Sequence, residues 1–186
     1  ETFDLKPDYK SPQQLTVTCA RTCDFRSKKE HPEGLPILAV DEQIYRELPG
    51  FLIATVDKFA ALPWVGNTGL LLGRNVTHHN ALGFYGPAGM PPGARPLAQP
   101  LLPPDLIIQD ELHLISGPLG TMVGLYETAI DHLTTRVVGQ GASATRIRPK
   151  IVASTATVRR ATAQIQALFG RDRVEVFPPP GPNRRT

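Results

Sequence analysis

Asp110 and Glu111 close the strand-length stretch Asp105-Leu106-Ile107-Ile108-Gln109, with its apolar run Leu106-Ile107-Ile108, and His113 follows two positions later. Continuous apolar runs of this length are the pattern of parallel strands covered on both faces. Carboxylates at the C-terminal end of such a strand stand where open α/β sheets bind ligands. A pair of them can share the work of phosphate hydrolysis. One carboxylate can hold Mg²⁺ while its neighbour orients or deprotonates a water that attacks a phosphate. The plain alternative is a helix start that gains from two negative charges.

Two further strand ends carry polar groups. Phe51-Leu52-Ile53-Ala54-Thr55 reads as a buried strand that switches at Val56-Asp57-Lys58 to a helix, which puts Thr55, Asp57 and Lys58 on the same sheet edge as the acidic pair. Lys150 to Thr157 is another apolar strand ending in small residues, Ser154-Thr155-Ala156-Thr157, three of them with hydroxyls. Between these runs, Leu119, Val123, Tyr126, Ile130 and Leu133 recur at helical spacing, so a helix is expected over about 117–137. A second helix is expected from Val158 to Phe169 with Gly170 as its stop, and a short last strand over 173–177. Nearer the start, Leu15 to Cys19 has strand character, and Asp41 opens a helix that Pro49-Gly50 ends. Strands alternating with helices predict an α/β fold with a parallel sheet flanked by helices.

The expected organisation is a polar or small Cys-containing segment over 1–34, a main body over 35–177 with a Gly/Pro-rich irregular insertion at 83–104, and a linker over 178–186. The 186 residues, 41% hydrophobic and 20% charged, describe a globular chain without an apolar stretch long enough to span a bilayer, so no membrane partner and a cytoplasmic location are expected. A first residue of Glu1 suggests a piece of a longer protein. The net charge of +3 and the pI near 9.0 permit nucleic-acid binding without demanding it. Two cysteines cannot build a disulfide framework. Cys19 and Cys23 could hold Zn²⁺ together with His78 and His79, although adjacent histidines are awkward ligands for one tetrahedral ion, and two reduced cysteines are the simpler reading.

Taken together, Asp110-Glu111-Leu112-His113, Ser154-Thr155-Ala156 and Thr55-Val56-Asp57-Lys58 resemble the Walker B motif, the motif III and a nucleic-acid-contacting strand end of superfamily 2 (DExH-type) helicases. The strings LPGFLIATVDKFA, PPDLIIQDELHLISGPLGT and KIVASTATVRRA are similar to the large helicase subunit of bacterial DISARM anti-phage defence systems. The resemblance spans about residues 48–177 and implies a partial P-loop NTPase domain: a RecA-like parallel sheet in the first motor domain of an ATP-dependent helicase or translocase. ATP and Mg²⁺ are the implied cofactors, with DNA rather than RNA as the track and other defence-system subunits as partners. Asp110, Glu111 and His113 would be catalytic, Asp110 holding Mg²⁺ through water because that ion dehydrates reluctantly, Glu111 positioning the attacking water, and His113 linking the γ-phosphate side to motif III. Ser154, Thr155 and Ala156 would couple nucleotide state to nucleic-acid grip, and Thr55, Asp57 and Lys58 would contact the track. For Ser154 and Thr155 the bland counterpart is capping of the helix at Val158, and for Lys58 a solvated charge.

The pattern is incomplete. No Gly-x-x-x-x-Gly-Lys-Ser/Thr segment, the Walker A loop whose amides and lysine cradle phosphates, occurs in this chain. Alone, these residues are therefore not expected to hydrolyse ATP. The competing reading is a non-catalytic module that binds nucleic acid or protein through a degenerate ATPase site. A metal-dependent hydrolase built on Asp110 and His113 is a poorer third, because the ligand set is sparse and no His-Glu-x-x-His pattern exists.

Overall fold

The computed structural model describes residues 2–21, 34–55, 57–58, 64–87, 89–112, 120–154 and 161–177. The chain divides into two units, Glu1–Leu102 and Pro103–Thr186, so the division falls inside the span 35–177 that reads as one body in the sequence.

The first unit opens with an antiparallel hairpin of β1 (Thr2–Lys6) and β2 (Gln14–Thr18), in which Phe3 faces Val17 and Leu5 faces Leu15. Asp8 shapes the connection by accepting hydrogen bonds from the backbone of Lys10 and Ser11 (2.8 and 3.0 Å). Helix α1 (Asp41–Glu47) has Asp41 and Glu42 in its first turn and Arg46 in its last, the charge order its dipole favours. It ends before Pro49, as the sequence predicts. Gln43, buried, ties α1 to the hairpin: its Oε1 accepts from the Leu15 amide (3.1 Å) and its Nε2 donates to Glu47 (2.8 Å).

Residues 66–104, where no regular pattern is legible, contain helix α2 (Thr68–Leu71) and a three-stranded antiparallel sheet in the order β4-β3-β5, built from β3 (His78–Asn80), β4 (Gly83–Tyr85) and β5 (Arg95–Pro96). Strands of two or three residues are too short to show alternation, which is why the segment 83–104 reads as irregular. Arg46 holds this sheet to α1, with its guanidinium 4.5 Å from the centre of the Tyr85 ring and one nitrogen donating to the Phe84 carbonyl (3.2 Å). Gly83 is required at the junction: its φ is +130°, and a Cβ there would stand 2.4 Å from the Arg46 carbonyl oxygen.

The expected strand Phe51–Thr55 is not formed. These residues have no ladder among the described residues, and Phe51 and Ile53 are 72% and 83% exposed. An apolar run becomes a strand only where a neighbour takes its backbone hydrogen bonds. The last expected strand, 173–177, fails for the same reason.

The second unit is built on a parallel pair. Strand β6 (Leu106–Gln109) lies beside β9 (Lys150–Ala153) in the register Leu106–Lys150, Ile107–Ile151, Ile108–Val152 and Gln109–Ala153. Between them in sequence come helix α3 (Gly120–Thr134) and a hairpin of β7 (Arg136–Val138) and β8 (Thr145–Ile147). Helix α4 (Ala161–Phe169) follows β9. Helix α3 stops three residues short of the expected 137, where two threonines turn their hydroxyls onto the preceding turn: Thr134 to Ile130 O (2.7 Å) and Thr135 to Asp131 O (2.6 Å).

Leu112, Val123 and Phe169 form the buried core, with Ile151, Ala153, Ile165 and Leu168 against them. Both helices therefore cover one face of the pair. The other face is covered by nothing among the described residues: Leu106, Ile108 and Val152 are 49%, 58% and 44% exposed, against the expectation of strands buried on both sides. The architecture is a mixture of helices and small sheets, one of them parallel. Among the described residues no helix is long and apolar enough to cross a membrane.

Candidate functional site

Asp110 and Glu111 form a two-residue turn at the C-terminal end of β6, clamped at both sides by the backbone of Ser154. The Ser154 amide donates to Gln109 O (2.9 Å), continuing the ladder, and Ser154 O accepts from the Leu112 amide (2.8 Å). The chain thus leaves the ladder at Gln109, exposes both carboxylates, and returns to bury Leu112, which is 1% exposed. Glu111 sits at φ +53°, in the left-handed region that costs an L-residue roughly 1–2 kcal/mol. Leu48 and Asn75 share that region, so the angle alone singles out nothing. The Asp110 carboxylate is fixed through Oδ1, which accepts from the Glu111 amide (2.9 Å).

Asp110 and Glu111 present two exposed carboxylates at a strand end, hard oxygen donors of the kind Mg²⁺ takes. The donor set therefore fits the expected metal. Ser154 is brought against the acidic turn by its main chain; its hydroxyl makes no hydrogen bond among the described residues. His113, Thr155 and Ala156 lie outside the described residues, as do Arg159 and Arg160.

Thr55, Asp57 and Lys58 belong to the first unit. The Lys58 amide donates to Thr55 O (3.0 Å). The Lys58 ammonium is taken by both oxygens of Asp41 (3.1 and 2.8 Å), whose hydrogen bond and charge hold its pKa above the ordinary value. A phosphate at Lys58 would compete with that carboxylate.

For Zn²⁺, Cys23 lies outside the described residues, and no cluster of three or more His, Cys, Asp or Glu residues occurs among the described ones. His78 and His79 are consecutive in β3 and so project to opposite faces. His78 Nδ1 lies 2.9 Å from Thr77 Oγ1, and the ring of His79 lies against Phe84. This geometry does not offer both histidines to one ion.

Sequence reasoning missed an ionic cluster behind the sheet. Asp131 of α3 accepts from two of the three guanidinium nitrogens of Arg148 (Nε 2.9 Å, Nη2 2.7 Å) and from one of Arg171 (2.9 Å). Arg148 also donates to the carbonyl of Phe169 at the end of α4 (3.2 Å) and to that of Gly170 just beyond it (3.0 Å), so one side chain joins α3, the segment before β9 and the end of α4. Burial lowers the Arg171 pKa, and the neighbouring Arg148 adds to that. Glu127, one turn before Asp131, lines a small cavity with Ile107, Ile130, Ile151 and Phe169. Burial first, and then the Asp131 charge, push its pKa up to about 7. The i,i+4 spacing of Glu127 and Asp131 was the available signal, but two acids at that spacing read as an outer helix face.

The Glu127 shift has a stability consequence. Its folded pKa lies above the ordinary 4.5, so the folded state holds the proton more tightly than the unfolded one. Stability is full below about pH 4.5 and is lost as pH rises toward about 7. With partial solvent screening the loss is about 1–2 kcal/mol. Glu127→Gln is expected to flatten this decline and to raise the unfolding midpoint at pH 8, read by thermal melts across the pH range; parallel curves for both proteins would contradict it.

No protein-family model matches the chain. Its sequence is 40% identical over 174 residues, 90% of the chain, to "DISARM protein DrmA" of Bacillus paralicheniformis (strain ATCC 9945a / NCIMB 11709 / CD-2). The chain is homologous to that DISARM protein. It spans about 15% of the relative's length.

Proposed function

We propose that this chain is part of an ATP-dependent nucleic-acid helicase or translocase that serves anti-phage defence, and that its second unit belongs to a RecA-like motor domain. The carrying observation is the acidic turn at the C-terminal end of a parallel strand, locked to the neighbouring strand end through Ser154. The homology to a DISARM protein supports the defence context. In this reading Asp110 holds Mg²⁺ through water, Glu111 orients the attacking water, and His113 with Ser154, Thr155 and Ala156 relays the state of the γ-phosphate. The bound Mg²⁺ would neutralise charge on the transferring phosphoryl group. The backbone clamp on Ser154 gives the relay a physical route: a displacement of Asp110 or Glu111 is passed to the segment after β9 through two hydrogen bonds. Thr55, Asp57 and Lys58 would contact the DNA backbone, Lys58 by exchanging Asp41 for a phosphate. Other defence subunits would be its partners.

No Gly-Lys-Ser/Thr loop occurs in these 186 residues, so the motor reading requires a phosphate cradle from outside them. That same absence favours the second reading, a binding module with a degenerate site. The two separate on ATP hydrolysis by the full-length protein with Mg²⁺, with and without single-stranded DNA. DNA-dependent turnover is expected. A full-length protein that hydrolyses no nucleotide under either condition sinks the motor reading in favour of the binding module.

A further inference from the structure

From His132 to Arg171 the chain carries no Asp or Glu at all, yet it holds seven Arg and Lys residues. The β7–β8 hairpin lies within that stretch and is exposed along residues 137–148. Some of its cations are already paired internally. Arg136 is bound to Asp105 (3.3 Å), and Arg148 and Arg171 are bound to Asp131. Arg146 and Lys150 are different: both are exposed, and neither has an ion-pair partner among the described residues. The one carboxylate residue that the ladder brings beside them, Asp105, whose backbone carbonyl takes the Lys150 amide, has its side chain on Arg136.

The hairpin also places an apolar surface beside one of these charges. Val137 and Arg146 are directly opposed across the ladder and therefore share a face, and Val137 is exposed. The tip, Gly139 to Ala144, is made of small residues and one glutamine, and Gly139 is fixed there by φ +91°, since a Cβ would stand 2.7 Å from Ser143 O. Nothing bulky at the tip keeps a ligand from the strands. Arg146 and Lys150 are four residues apart in sequence, at most about 14 Å if extended. That is about the length of four stacked nucleotides of one strand at roughly 3.4 Å each.

We infer that the β7–β8 hairpin and the start of β9 form a contact for single-stranded nucleic acid, with Arg146 and Lys150 on phosphates and Val137 against an unstacked base. Charge complementarity selects a polyanion, and the apolar neighbour of Arg146 selects a strand whose bases are exposed over a closed duplex. The contact lies at the end of β9 opposite Ser154, so it is separate from the acidic turn. It rests on the nucleic-acid reading above and adds residues to it.

The test is the salt dependence of oligothymidylate binding by the full-length protein, followed by fluorescence anisotropy without nucleotide. Each phosphate contact to a single strand contributes about 0.7 to the slope of log K against log salt. Arg146→Gln/Lys150→Gln is expected to make that slope shallower by about 1.4. Arg173→Gln, which removes an exposed cation paired with Glu175, is expected to leave it unchanged. An equal unfolding midpoint in the variants excludes misfolding as the cause. Wild-type binding with a slope the double variant does not alter overturns the hairpin contact while leaving the motor reading standing, and binding of an acidic polypeptide in preference to oligothymidylate overturns it in favour of a protein partner. A full-length protein that hydrolyses ATP but binds no oligothymidylate also overturns it, whereas lost hydrolysis with the salt effect intact removes only the motor.

Discussion

Leu112→Ala is expected to lower the unfolding free energy by about 3 kcal/mol, well inside the range for opening a cavity under a buried leucine. The site cannot collapse easily. Leu112 is fully enclosed, and its neighbours Val123, Phe169 and Ile151 come from α3, α4 and β9, each held by its own backbone ladder and by the Asp131–Arg148–Arg171 cluster. The same substitution should loosen the acidic turn, because Leu112 is the inner anchor of a loop whose outer anchor is Gln109. Denaturant unfolding measures the first effect. Leu125→Ala on the exposed face of α3 is the comparison and should cost less than about 0.5 kcal/mol. Equal losses at the two positions would mean that Leu112 is not the anchor.

That buried leucine explains why the site could be read from the sequence in part. The run Leu106-Ile107-Ile108 and the run Ile151-Val152-Ala153 are apolar enough to mark strands, and they do pair in parallel with Asp110 and Ser154 at the same end. The amphipathic spacing of Val123, Ile130 and Leu133 marks α3 in the same way. What could not be read is where hydrogen-bonding partners would come from. Phe51 to Thr55 has strand composition but no ladder, and its side chains stand in solvent. Leu106, Ile108 and Val152 are likewise apolar on a face that nothing among the described residues covers, so apolarity predicted burial that this part of the chain does not provide by itself. In the other direction, β3 to β5 and the β7–β8 hairpin form from two or three residues each, and their pairing depends on Arg46, Gly83 and Gly139 holding distant backbone together. Such contacts leave no periodicity.

The role of Ser154 shows the limit from another side. Its hydroxyl suggested coupling, or else capping, yet it is the Ser154 amide and carbonyl that bracket the acidic pair. Any residue with a free amide could make those bonds, so composition carried no hint of them. The Asp131 cluster escaped for a related reason: Arg148 and Arg171 are distant in sequence from their carboxylate and look like surface charges until β9 and α4 are in place.

The most direct measurement is DNA-stimulated ATP turnover by the full-length protein with Glu111 and with Glu111→Gln, at saturating Mg²⁺ and nucleotide. Glutamine keeps the size of the side chain and the backbone turn but cannot take the proton of an attacking water. A positioned base contributes about 100- to 10,000-fold. A water-orienting Glu111 predicts a fall in kcat of at least about 100-fold with nucleotide affinity little changed, the signature of an interaction made in the transition state. Turnover within about twofold of wild type would contradict it, and the acidic turn would then be a structural device at the end of β6.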